Sequence, residues 1–169
     1  MNMMPNQLAV VGFADYQGEI NCVDGWLDVG DPQANAYSYI IEEAGDHICV
    51  REMTGNQRAF LVRYGKENRL AAIRSLALLL NKIGFIAMDN DDVFRYMPSL
   101  VDYYVYEIAG ETYLRDLKQA LRDVAAHLEI GKQPWVQIEY SQINDDIESI
   151  CENIATATEC SCRTNRRSH

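Results

Sequence analysis

Along this chain of 169 residues the spacing of apolar positions changes from strand-like to helix-like near residue 65. The first 64 residues form short runs rich in β-branched and aromatic side chains, broken by turn residues, which is the pattern of a sheet. Val23-Asp24-Gly25-Trp26 predicts a type I′ hairpin between Ile20 to Val23 and Trp26 to Val29, because Asp-Gly accepts the positive φ values of that turn. After a loop at Gly30-Asp31-Pro32, strands are predicted at 37–43, 47–53 and 58–64. Ala44-Gly45-Asp46 and Thr54-Gly55-Asn56 separate them. The expectation is an antiparallel sheet of about five strands.

From Lys66 to Ile83 the apolar positions run almost all the way round a helix, with Arg74, Ser75, Asn81 and Lys82 as a narrow polar strip and Gly84 as a stop. Such a helix is expected to be buried on most sides, as the central core element. Phe85 to Ala87 reads as a short strand. Residues 100–108 carry two patterns. Val101, Tyr103 and Val105 alternate as in a strand, while Val101, Tyr104, Val105 and Ile108 share a helical face and Ser99 with Asp102 matches a capping box; helix is the preferred reading.

Glu111 to Ile130 predicts an amphipathic helix with Leu114, Leu117, Leu121, Val124, Ala125 and Leu128 on one face and Gly131 as its stop. Pro134 to Tyr140 predicts an edge strand. Asp145 to Thr158 predicts a last helix with Ile147, Ile150, Cys151 and Ile154 inward. The fold class is therefore α+β: an N-terminal antiparallel meander of about five strands packed on a central buried helix, followed by two or three further helices and an edge strand. No repeat or linker breaks the chain, so a single domain is expected over 1–162, with a disordered basic tail over 163–169.

Composition and charge narrow the function. Apolar residues at 48% and charged residues at 24% suit a globular chain and exclude a disordered or fibrous one. The net charge of −10 opposes any broad contact with nucleic acid or anionic lipid. It is unevenly spread: residues 1–50 hold eight acidic and no basic side chains, while 51–82 hold seven basic and two acidic. These two blocks should attract each other. The opening residues lack a basic stretch, and the longest wholly apolar run is Leu76 to Leu80, so neither a secretion signal nor a membrane span is expected. Five cysteines without a signal read as reduced thiols in a cytoplasm, with Cys22 and Cys49 as small core residues.

Several groups could carry chemistry. Asp145, Glu148, Glu152 and Glu159 fall within about 60° of one another on the last helix, an anionic stripe suited to an Arg- or Lys-rich partner, although a solvated face has the same pattern. Tyr96, Tyr103, Tyr104, Tyr106 and Tyr113, interspersed with Asp102, Glu107 and Glu111, combine rings with acid as interfaces do; core packing is the plainer reading. Asp89, Asp91 and Asp92 suit a hard cation by type, yet Phe94 stands where an EF-hand loop needs Gly, and acids at a helix start explain them. Cys151, Cys160, Cys162 and His169 match no structural zinc spacing. His47 and Cys49 share one face of a strand, a weak echo of a thiol catalyst. His127 pairs most simply with Asp123. Phosphate loops, dinucleotide fingerprints, nucleophile elbows and HExxH are absent, so no catalytic residue, cofactor or metal is assigned.

The reading that follows is an acidic protein-binding module of the inhibitor, immunity or anti-defence type, which occupies a basic surface of a partner macromolecule. Asp145, Glu148, Glu152, Glu159, Asp102, Tyr103, Tyr104 and Tyr106 are its candidate contacts. Two alternatives remain: a small-molecule-binding protein or enzyme with a pocket between sheet and central helix, using Arg74 or Lys82, and a subunit of a larger assembly.

Overall fold

In a computed structural model, which describes residues 7–81, 89–106 and 112–126, every side chain of the first strand, β1 (Leu8–Val11), is buried. A four-residue run with no polar position is what a strand covered on both faces requires. Strand β1 lies between β2 (Gly25–Leu27) and β3 (Tyr39–Ala44) and runs parallel to both. From β3 the chain forms a meander through β4 (His47–Glu52) and β5 (Ala59–Arg63), each antiparallel to the one before. Gly45 takes φ +65° in the two-residue turn between Ala44 and His47, the glycine-first pattern of a type II′ hairpin.

The predicted meander is thus present in β3 to β5, but the hairpin predicted at Asp24-Gly25 is not. Residues 20–23 are not a strand, Gly25 does not take a positive φ, and β2 pairs with β1 in parallel. The Asp24 side chain has a different task. The Leu8 N–H donates to Asp24 Oδ2 at 2.7 Å, and the Asp24 N–H donates to the Leu8 carbonyl at 2.9 Å. A two-point clamp to β1 competes with a hairpin turn, and the clamp prevails because it satisfies a backbone donor on a wholly buried residue.

Beyond β5, a single 3-10 turn at Lys66–Asn68 leads into helix α1 (Arg69–Asn81), then come α2 (Asn90–Tyr96) and strand β6 (Leu100–Asp102), parallel to β5. The six-stranded mixed sheet has the order β2-β1-β3-β4-β5-β6. Ala72, Ile73, Leu76, Ala77 and Leu80 of α1 belong to one apolar cluster with Leu8, Val10, Ile41, Ile48, Val50, Phe60 and Val62 of the sheet, and Val93 and Phe94 of α2 complete it. Polar caps tie the helices down. Asn81 Nδ2 donates to the Cys22 carbonyl at 2.5 Å and to Asp24 Oδ2 at 3.3 Å, and Asn90 Nδ2 donates to the Leu80 carbonyl at 2.9 Å, satisfying one of the open carbonyls at the end of α1.

Residues 100–102 form a strand, which corrects the preference for a helix there. The alternation continues past it: Val101, Tyr103 and Val105 are half-buried, and Leu100, Asp102, Tyr104 and Tyr106 are exposed. The open register beside β5 decides the outcome, since pairing with Leu61 to Arg63 is a long-range interaction that local periodicity does not reveal.

The chain divides into two units, Met1–Val105 and Tyr106–His169. In the second, α3 (Tyr113–Ala125) buries Ala120 and Leu121 and exposes Arg115, Lys118, Gln119, Arg122 and Asp123, the division expected of an amphipathic helix. Asp123 accepts from Gln119 at 3.0 Å. The strands predicted at 85–87 and 134–140, the last helix at 145–158 and the tail lie outside the described residues. Among the described residues no helix is long and apolar enough to cross a membrane.

The clamp makes a measurable difference between two variants. Asp24→Ala leaves the Leu8 N–H without its acceptor and is expected to cost about 1–3 kcal/mol, whereas Asp24→Asn keeps an acceptor and should cost less than half as much. Urea unfolding of both proteins checks this, and equal losses would contradict it.

Candidate interaction surface

Three surfaces of the first unit combine exposure with polar chemistry. The first is the sheet face opposite α1. There Ala9, Val11 and Ile40 are buried under Leu27, Ala34, Tyr37 and Met53. That cover does not extend to the far strands. Leu61 and Leu100 sit side by side in register, 37% and 43% exposed, with half-buried Cys49 opposite Leu61. Two ion pairs flank this row: Arg51 with Glu42 at 2.7 Å, and Arg63 with Asp102 in a two-bond contact at 2.5 and 3.0 Å. The patch is therefore locally neutral.

The predicted cluster of tyrosines and acids is divided by the strand. Asp102 lies on the open face, held by Arg63. Tyr103 turns to the helix side, where its hydroxyl lies 2.7 Å from Ser75 Oγ and donates to the Ala71 carbonyl at 3.2 Å. Tyr104 and Tyr106 are exposed, as is Tyr96. Asp145, Glu148, Glu152 and Glu159, the predicted anionic stripe, lie outside the described residues, as do Cys151, Cys160, Cys162 and His169.

His47 and Cys49 do share a face of β4. Burial and the neighbouring Glu42 carboxylate push the Cys49 thiol up, against a smaller opposite pull from Arg51. A thiolate nucleophile needs the reverse.

The second surface is the end of the sheet where β1, β2 and β3 finish. A side chain on Gly12 would meet Val29 and Glu43, so the three strand ends converge there. Arg69, at the start of α1, pairs with Glu43 at 3.2 Å and lies over the rings of Phe13 and Tyr16, at 4.7 and 5.6 Å from their centroids. Together with Arg51–Glu42, this pair joins the basic segment to the acidic block, as the charge pattern predicts. The remaining acids at this end, Asp15, Asp28 and Asp46, are exposed and have no ion-pair partner among the described residues.

The aspartates of the 89–92 segment are committed elsewhere. Asp89 caps α2 by accepting from the Asp92 N–H at 2.9 Å. Asp91 accepts from Arg58 at 2.5 Å and from Arg95 at 2.7 Å. Arg58 also binds Glu52, a buried carboxylate that accepts the Asn56 N–H of the β4–β5 turn at 3.0 Å. The set Glu52–Arg58–Asp91–Arg95 thus fastens α2 to the sheet over Phe94, whose ring stacks on Tyr39.

The third surface is a cleft of about 350 Å³ lined by Gln7, Asp24, Gln33, Ala36 and Tyr37. Its shape depends on Gly25, since the Tyr37 phenol occupies the place a β-carbon would take. Asp31 sets Gln33 in position by capping the following turn, accepting from the Gln33 N–H at 2.9 Å. The sequence pattern did not single out Gln7, Gln33 or Tyr37, because only the parallel pairing of β1 with both β2 and β3 brings their segments together. Comparison with protein-family models, curated proteins and solved structures finds no match to this chain.

Two measurements probe these environments. Cys49 should be alkylated by iodoacetamide more slowly than a free cysteine at pH 8, with its rate rising at higher pH than usual, and Glu42→Gln should shift that rise downward; peptide mass spectrometry resolves the site. Hydrogen bonds from Arg58 and Arg63 hold the carboxyls of Asp91 and Asp102 below their ordinary value of 3.8. A depressed pKa contributes stability above the unfolded value, lost as pH falls through the folded one. Urea midpoints should therefore drop on acidification below about pH 4, and less steeply in an Asp91→Asn/Asp102→Asn double variant.

Proposed function

We propose that the protein is an acidic binding module of the inhibitor, immunity or anti-defence type, acting by covering a basic surface of a protein partner. The observation that supports it is the group of exposed carboxylates at the ends of β1 to β3, where Asp15, Asp28 and Asp46 have no ion-pair partner among the described residues. Most of the arginines of the first unit are paired internally: Arg51, Arg58, Arg63, Arg69 and Arg95 all contact carboxylates. Those five arginines are thus committed, and no ion pair among the described residues offsets Asp15, Asp28 or Asp46. The fields of exposed carboxylates reach about 8 Å at physiological salt and act first on the association rate. The exposed Val29 beside Asp28 adds an apolar contact to the same end. The candidate contacts Asp145, Glu148, Glu152 and Glu159 extend the reading to the C-terminal segment, and the exposed Asp102 and Tyr104 extend it to the far edge of the sheet, where Tyr103 is committed to Ser75 and Ala71.

The test is capture of the partner from the native host, followed by binding of the purified pair over a range of salt. Asp15→Lys/Asp28→Lys/Asp46→Lys should weaken binding about tenfold and flatten its salt dependence, while shifting folding stability by no more than about 0.5 kcal/mol per site. A partner that is not basic, or affinity and salt dependence left intact by the triple reversal, would remove the basis of this reading.

A further inference from the structure

We propose that the cleft between Gln7, Asp24, Gln33, Ala36 and Tyr37 receives an arginine side chain of the partner. The inference rests on the proposed function and names one contact within it. The two Asp24 oxygens are used unequally. Oδ2 accepts from the Leu8 N–H and from Asn81, while Oδ1 has no hydrogen-bond partner among the described residues. The side-chain amides of Gln7 and Gln33 and the Tyr37 hydroxyl are likewise without partners among the described residues. Four residues with polar side chains thus line one cleft of about 350 Å³, in which Asp24 supplies the one formal charge and no cation is among the lining residues.

Acceptors grouped around a carboxylate match a planar guanidinium, which carries five N–H donors in a fixed fork. The Asp24 oxygen would take the charge-assisted bond, the amide oxygens of Gln7 and Gln33 the outer N–H groups, and Ala36 would border the methylene stem. Lysine is a poorer fit, because a compact ammonium with three donors cannot span groups on separate segments of the cleft. The anchor is also rigid: Asp24 is clamped to β1 from both its backbone and its side chain, so little ordering is needed on binding. The other candidate surfaces offer less. Asp89 is spent on a helix cap and Asp91 on two arginines, and the open sheet face is neutralised by its own ion pairs.

The full chain, labelled with ¹⁵N, is titrated with the blocked peptides acetyl-Gly-Arg-Gly-amide and acetyl-Gly-Lys-Gly-amide. The arginine peptide should produce saturable shifts at the amides of Leu8, Gly25, Gln33 and Tyr37, and the lysine peptide should bind at least about fivefold more weakly. Asp24→Asn, which keeps an acceptor for Leu8, should weaken the arginine peptide about tenfold. Gln33→Ala, on an exposed turn, should weaken it as well and guards against a folding defect in the first variant. Shifts that are absent, unsaturable, equal for both peptides or unchanged in both variants overturn the proposal. If the strand-end charge reversal abolishes partner binding while Asp24→Asn and Gln33→Ala leave it intact, the cleft assignment falls and the acidic-module reading stands.

Discussion

The clamp between Asp24 and Leu8 is the constraint on which the rest of the first unit depends. Strand β1 is the most deeply buried element, and a buried strand must place every backbone donor and acceptor. Its neighbours supply ladder bonds along its length, but the first N–H is met by a carboxylate, and the same residue's carbonyl is met by the Asp24 N–H. This contact, one residue before the parallel ladder of Ala9 with Gly25, fixes where β2 begins. Asn81 then reaches the same carboxylate and the Cys22 carbonyl, which ties the end of α1 to the start of the sheet.

A second polar assembly does for the other half what Asp24 does for the first. Glu52 is buried on β4, and its charge is tolerable because Arg58 and the Asn56 N–H both donate to it. Arg58 continues to Asp91, so the β4–β5 turn and α2 are held by one guanidinium. Phe94 sits beneath, against Tyr39 and Phe60. Burial of the rings supplies the apolar gain, and the ion pairs choose which face of α2 is presented to the sheet.

Between these two assemblies the charges are sorted. Arg51, Arg58, Arg63, Arg69 and Arg95 meet carboxylates inside the unit, and Asp15, Asp28 and Asp46, near the ends of β1, β2 and β3, are left outside those pairs. The thiol that shares a strand face with a histidine, Cys49, has its pKa raised by burial and by a neighbouring acid.

The elements whose signals are local were legible in the chain. The meander of β3 to β5 followed from β-branched runs and the Gly45 turn, the helix near 69–81 from its apolar density, α3 from its stripe, and the cap at Asp89 from acid before a helix start. Three features emerged with the fold: Asp24-Gly25 serves a parallel pairing, 100–102 is a strand, and Gln7, Asp24, Gln33 and Tyr37 line one cleft. Each of those depends on partners far apart in the chain. An Asp-Gly pair has the same composition in a hairpin as in a clamp, and Val101 alternates or spirals equally well until β5 offers its edge. Period and propensity describe neighbours along the chain, whereas a buried donor takes whichever acceptor the fold brings to it.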